Sequence, residues 1–104
     1  MNHVNLIGKI SSEPKVVCLE NGKKIAQFSL STQETYLDGD GNVKKRNYWH
    51  RISAWGNWVG VLEELGHKGI NLAIEGKLVS RFYKSSTGAQ HLITEVEVND
   101  LVIL

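Results

Sequence analysis

The sequence predicts an all-β fold, a five-stranded barrel carrying one short helix, and three features carry that prediction. Long stretches alternate apolar and polar residues with the period of two that a half-buried strand imposes. Ala26, Phe28 and Leu30 oppose Gln27, Ser29 and Ser31, and Ile70, Leu72, Ile74, Gly76 and Leu78 oppose Asn71, Ala73, Glu75, Lys77 and Val79. Turn-forming clusters at Asn21-Gly22, Asp38 to Asn42 and Ser85 to Gly88 join one such stretch to the next. Helical spacing occurs once, at Trp58, Val61, Leu62 and Leu65.

Taken in order, residues 3–10 form a first strand in which Gly8 marks a bulge or a close backbone approach. Pro14 ends it, and Lys15 to Leu19 resumes as its extension, where Cys18 is expected to be a small buried residue. Asn21-Gly22 suits a type I′ hairpin turn. The second strand runs from Lys24 to Leu37; beyond Thr32 its polarity evens out, so its outer half projects as an arm. Asp38 to Asn42 is a turn and not a calcium loop, because Val43 and Trp49 stand where an EF-hand needs Gly and Glu. The third strand is Lys44 to Trp55, and Asn57 caps a helix that stops at Gly66. The fourth strand is Ile70 to Tyr83; in the fifth, Leu92, Thr94, Val96 and Val98 alternate with Ile93, Glu95, Glu97 and Asn99. Five strands with a helix between the third and fourth is the order of an oligonucleotide-binding (OB) barrel.

At 104 residues the chain is one domain, residues 1–104, large enough for a single core. Its hydrophobic fraction of 41% and charged fraction of 22% are those of a soluble globular protein, with no membrane-length apolar run and no signal segment. Action in the cytoplasm is therefore expected. The lone Cys18 and four scattered histidines offer no metal cluster, and no cofactor motif is present. The net charge of +1 is weak support for a polyanionic partner, so the distribution of cations must decide.

The segment from Tyr48 to Gly56 has unusual chemistry. Alternation places Tyr48, His50, Ile52 and Ala54 on a core-like face and Trp49, Arg51, Ser53 and Trp55 on the other. Aromatics interleaved with cations form a stacking surface for bases; equally, both tryptophans could be core beneath the arginine's aliphatic stem. The fourth strand repeats the pattern, with Lys77, Arg81 and Tyr83 sharing its polar face. Trp58 belongs to the apolar stripe of the helix and is read as core.

Val4 to Gly8, Asn21-Gly22, Ala26 to Ser31, Trp49-His50-Arg51, Trp55-Gly56, Lys68-Gly69, Glu75 to Leu78 and Thr94-Glu95-Val96 together resemble the bacterial single-stranded-DNA-binding protein family, along nearly the whole chain. That resemblance implies an OB-fold homotetramer that binds and protects single-stranded DNA, without sequence preference, during replication, recombination and repair. It places stacking aromatics at Tyr36, Trp49, Trp55 and Tyr83 and path-lining cations at Arg51, Lys68 and Arg81, to which Lys77 is added from its face. Tyr36, Trp55 and Tyr83 differ in ring type from the best-known members, and Asn57 and Phe82 stand where those members carry cations. The resemblance further implies subunit contacts at His50 and around Val4 and Leu6; for His50 the other reading is a hydrogen-bonded interior histidine. Family members continue into a flexible linker and an acidic tip that recruits enzymes; this sequence stops at Leu104, so recruitment through a tip is not expected of it.

Catalysis is not expected, since no phosphate loop, nucleophile-base pairing or ligand cluster is present, and the adjacent Glu63-Glu64 sits on the solvent side of the helix. A primosome-type OB-fold accessory protein, acting as a dimer, is the nearest alternative. An RNA chaperone of the cold-shock kind would be shorter and richer in strand aromatics.

Overall fold

The computed structural model describes all 104 residues, with every side chain except that of Tyr83. The elements are β1 (Val4–Ile10), β2 (Lys15–Cys18), β3 (Lys24–Leu37), β4 (Val43–Trp55), α1 (Asn57–Leu65), β5 (Asn71–Lys84) and β6 (Gln90–Ile103). The sheet runs β1-β5-β6-β4-β3-β2 and closes because β1 also pairs with β3, through Lys9↔Ser31 and Ile10↔Leu30. Five strands thus make a barrel, and β2 adds a short edge to β3. Every pairing is antiparallel except β4 with β6, at Ile52↔Val96 and Ser53↔Glu97. The closure rests on Gly8: a Cβ there would lie 2.3 Å from the Ser31 carbonyl oxygen. β1 can cross from β5 to β3 at that point only without a side chain.

Inward residues fill the barrel, with Ile10, Leu30, Ile52, Leu62 and Leu72 essentially inaccessible. Each such side chain contributes about 1.5–3 kcal/mol by leaving water. From α1, Val59 and Leu62 join this core, Trp58 lies half-buried against it, and Val61 is half-buried. The expected helical stripe is therefore rotated: Val59 is in, and Leu65, on the last turn, is exposed. Asn57 is also not the cap. Gly56, at φ 63°, precedes the helix, and no side chain caps it.

In β6 the core parity changes along the strand. Val96 and Val98 point inward, then Leu101 and Ile103 do, because the pairing steps from Gly76↔Val98 to Glu75↔Asp100 and leaves Asn99 as a bulge. Gly76 sits at this step, where a Cβ would meet the Glu97 carbonyl oxygen at 2.2 Å. The β2–β3 turn departs from type I′: only Gly22 takes a positive φ, and its N–H donates to the Leu19 carbonyl. Cys18 is exposed, contrary to expectation, because it ends the edge strand beyond the core on which Val16 still packs. Both long hairpins run past the barrel as two-stranded arms, giving the molecule a longest dimension of 54 Å.

Candidate nucleic-acid interface

The outward face of β4 carries Trp49, Arg51, Ser53 and Trp55, flanked in register by Ser31, Ser29, Gln27 and Ile25 of β3. Their depths differ. Trp49 is 67% exposed, Arg51 is exposed, Ser53 is fully buried and Trp55 is half-buried. The Ser53 hydroxyl and the Trp55 indole N–H are enclosed and have no hydrogen-bond partner among the described residues. Ile52 and Ala54 alternate inward into the core.

Two grooves border this strip. One, of about 480 Å³, runs beside Trp49 and is lined by Lys9, Ser31, Gln33 and Asn47. The other, of about 360 Å³, runs beside Arg51, with Lys15, Gln27 and Ser29 on its walls. Lys9 and Lys15 are not foreseeable from the spacing of one strand. Alternation makes Lys9 outward, but its position beside Trp49 depends on the closure of β1 onto β3.

The predicted cations fall into three environments. Arg51 has no ion pair among the described residues. Arg81, by contrast, donates through Nε to Glu95 at 2.7 Å and through a terminal nitrogen to Glu97 at 3.4 Å, with its guanidinium 5.7 Å from the Trp55 ring centre. The sequence alternation shows Glu95 and Glu97 on one face of β6, yet does not show that Arg81 turns towards them. Lys77 is exposed and stands opposite Glu97. Lys68 lies apart, in the α1–β5 loop, where its backbone N–H donates to Glu13, whose other oxygen is 3.6 Å from His67.

Tyr36 is on the reverse side of the arm. The β3–β4 register is unbroken from Ile25↔Trp55 to Leu37↔Val43, so no bulge moves Tyr36 from the face of Phe28 to that of Trp49. There it is half-buried under Arg46, 4.4 Å away, which also reaches the Tyr48 hydroxyl at 3.5 Å. The hydroxyls of Tyr48 and Tyr36 raise the pKa of Arg46 further above its already high value, so this cation persists at every working pH. His50 shares that face, half-buried, with Nε2 2.9 Å from the Thr32 hydroxyl. The side chain of Tyr83 lies outside the described residues; its backbone is in β5, opposite His91. Val4 and Leu6 turn inward and pack against the core, so the outward apolar residue of β1 is Ile7, 71% exposed. Between Val4 and Gly8 one edge of β1 remains unpaired.

A closed five-stranded barrel with its helix between the third and fourth barrel strands is an OB fold, and its β4 carries the exposed Trp49 and Arg51. The chain belongs to the single-strand binding protein family, whose model matches residues 1–104. Single-stranded DNA-binding protein 1 of Chlorobaculum tepidum is 33% identical to it, over all of this chain and 65% of the relative. The single-stranded DNA-binding protein of Bacteroides thetaiotaomicron is also 33% identical, over all of this chain and 66% of the relative. The chain thus spans just under two-thirds of the length of these curated relatives. Among solved structures, Plasmodium falciparum SSB in complex with ssDNA superposes with a TM-score of 0.88 at 31% identity, covering all of this chain and 95% of the other. The single-stranded DNA binding protein from Thermus aquaticus, a deletion mutant, shares the fold with a TM-score of 0.86 at 23% identity, over all of this chain and 50% of that one.

Proposed function

We propose that this chain binds single-stranded DNA by base stacking and phosphate contact, without catalysis and without sequence preference, and so protects it during replication, recombination and repair in the cytoplasm. The observation that carries this reading is Trp49: a tryptophan 67% exposed on β4, on the same face as Arg51, which has no ion pair among the described residues. Every base offers a π-face, so such a ring binds whatever sequence is supplied, at about 1–3 kcal/mol per base. Paired bases already stack on one another and cannot lie on it. The family membership and the complex seen for the Plasmodium relative support the same ligand.

A path on β4 runs from Trp49 past Arg51 to Trp55. Tyr36 and Arg46, on the back of the β3–β4 arm, serve a strand that wraps around the arm, and Tyr83, Lys77 and Lys68 extend the contacts to β5 and the α1–β5 loop. Assembly as a homotetramer belongs to the same reading, and two distinct surfaces are available for it: the free edge of β1 and the outer face of the sheet around Ile7. His50, on the Tyr36 side of β4, is the third assembly candidate. The test is a tryptophan-fluorescence titration with oligo(dT) and with duplex DNA of equal length, repeated at several salt concentrations. Quenching by oligo(dT) that weakens with salt, with duplex at least a hundredfold weaker, is the expected result; equal affinity for both would overturn the reading.

A further inference from the structure

Arg81 is the one predicted path-lining arginine that meets two carboxylates on the face that would receive a polyanion. It stands directly opposite Ile93, but its side chain runs along β6 towards the barrel, first to Glu95 and then to Glu97. The two contacts are unequal. The 2.7 Å bond to Glu95 has the length of a charge-assisted hydrogen bond, whereas 3.4 Å to Glu97 is at the limit of one. Their surroundings differ in the same sense, since the side chain of Glu95 is 2% exposed and that of Glu97 27%. A buried carboxylate stripped of its partner is heavily penalised, so Arg81 cannot leave Glu95. Glu97 can return to water at little cost. The same guanidinium lies 5.7 Å from the ring centre of Trp55, within cation–π range, and holding the one positions the other.

We propose that Glu95 and Glu97 are positioning residues of the DNA face acting through Arg81: Glu95 anchors the guanidinium beside Trp55, and Glu97 occupies the guanidinium edge that a DNA phosphate takes on binding. A guanidinium has five N–H donors in a fixed fork. With Nε kept by Glu95, the terminal nitrogens exchange one carboxylate for one phosphate without rotating away from Trp55. Before binding, the pair of acids lowers the local charge and sets a threshold that scattered anions do not pass. This proposal rests on the single-stranded-DNA reading, which it refines.

Glu95→Gln and Glu97→Gln change the net charge identically and preserve side-chain size, so a purely electrostatic role predicts equal tightening by both. The proposal predicts a split. Glu97→Gln binds oligo(dT) about two- to fivefold more tightly, the scale of an exposed ion pair, with a log–log salt slope steeper by about 0.7, one phosphate on a single strand. Glu95→Gln gains no affinity. In a Trp49→Phe, Trp58→Phe background, where Trp55 is the only tryptophan left of three, acrylamide quenches Trp55 more in the Glu95 variant and equally in the Glu97 variant. If Glu95→Gln does not fold, Arg81→Lys replaces it, with weaker binding and greater quenching expected although the charge is kept. Equal tightening by both glutamines, or no change in affinity and slope for Glu97→Gln, would overturn the proposal. Wild-type protein that fails to bind oligo(dT) at all would instead overturn the function on which it rests.

Discussion

At the scale of single residues, two tryptophans on one face of one strand are not equivalent. Alternation shows that Trp49 and Trp55 share a face; depth is set by what the neighbouring strands place around them, which the period of two does not contain. Trp49 stands clear of the barrel, where Ser31 opposes it. Trp55 is at the barrel end beside Ile25, with its indole nitrogen enclosed and Arg81 near its ring. The two ends of the segment therefore differ in depth, Trp49 being exposed as a stacking face requires and Trp55 half-buried. Trp49→Ala should weaken oligo(dT) binding by about 1–3 kcal/mol and leave the urea midpoint unchanged. Trp55→Ala should weaken binding and also lower stability by about 1–3 kcal/mol, as truncation of a partly buried aromatic does. Titration and urea melts of the two variants, side by side, check the distinction. His50 shows the same limit of periodicity: its inward side was legible, but the Thr32 hydroxyl that satisfies it comes from register on another strand.

Among the elements, β3 was legible from Lys24 to Leu37, because apolar alternation and the flanking turn residues act locally along one strand. The end of β6 was not. Continued alternation from Val96 and Val98 would turn Leu101 outward, and only the bulge at Asn99 returns it to the core. A bulge is a property of two strands, and its marker, Gly76, lies on the partner. Lys15–Cys18 was visible as extended chain, but its separate pairing with β3 was not, since an edge strand has no pattern of its own beyond two valines. The glycines allow a test at this scale. Gly76→Ala forces a Cβ onto the Glu97 carbonyl and should cost about 1–3 kcal/mol, the range for overpacking without room to relax. Gly60, inside α1, faces open space: beyond its own helix backbone and chain neighbours, no atom lies within 4 Å of where a methyl would stand. Gly60→Ala should therefore add about 0.5–1 kcal/mol through helix propensity. Thermal melts of the pair should move in opposite directions.

For the whole molecule, the surface opposite in character to the Trp49 strip is the outer side of β1, β5 and β6. Registers align Ile7 with Ala73 and Ala73 with Val102, an apolar row in which Ile7 is 71% and Val102 53% exposed. On one side of the row stand Asn5, Glu75 and Asp100, and on the other Lys9 and Asn71. An apolar strip with a polar rim has the anatomy of an interface core. A two-fold axis through the row sets the Lys9 end of one copy against the Glu75 and Asp100 end of the other, which makes the patch complementary to itself, as isologous contacts require. On the tetramer reading proposed above, the free edge of β1 would supply a second contact of different type, through backbone pairing, since two isologous interfaces generate a tetramer with 222 symmetry. The expectation that Val4 and Leu6 meet a partner thus shifts to Ile7 and to the backbone of β1, because Val4 and Leu6 are occupied by the barrel's own core. Ile7→Lys places a charge in the centre of the row without touching that core. Sedimentation equilibrium should then give half the wild-type mass, with the β1-edge dimer retained, and the circular-dichroism spectrum should be unchanged. An unaltered mass would place the assembly contact elsewhere on the barrel.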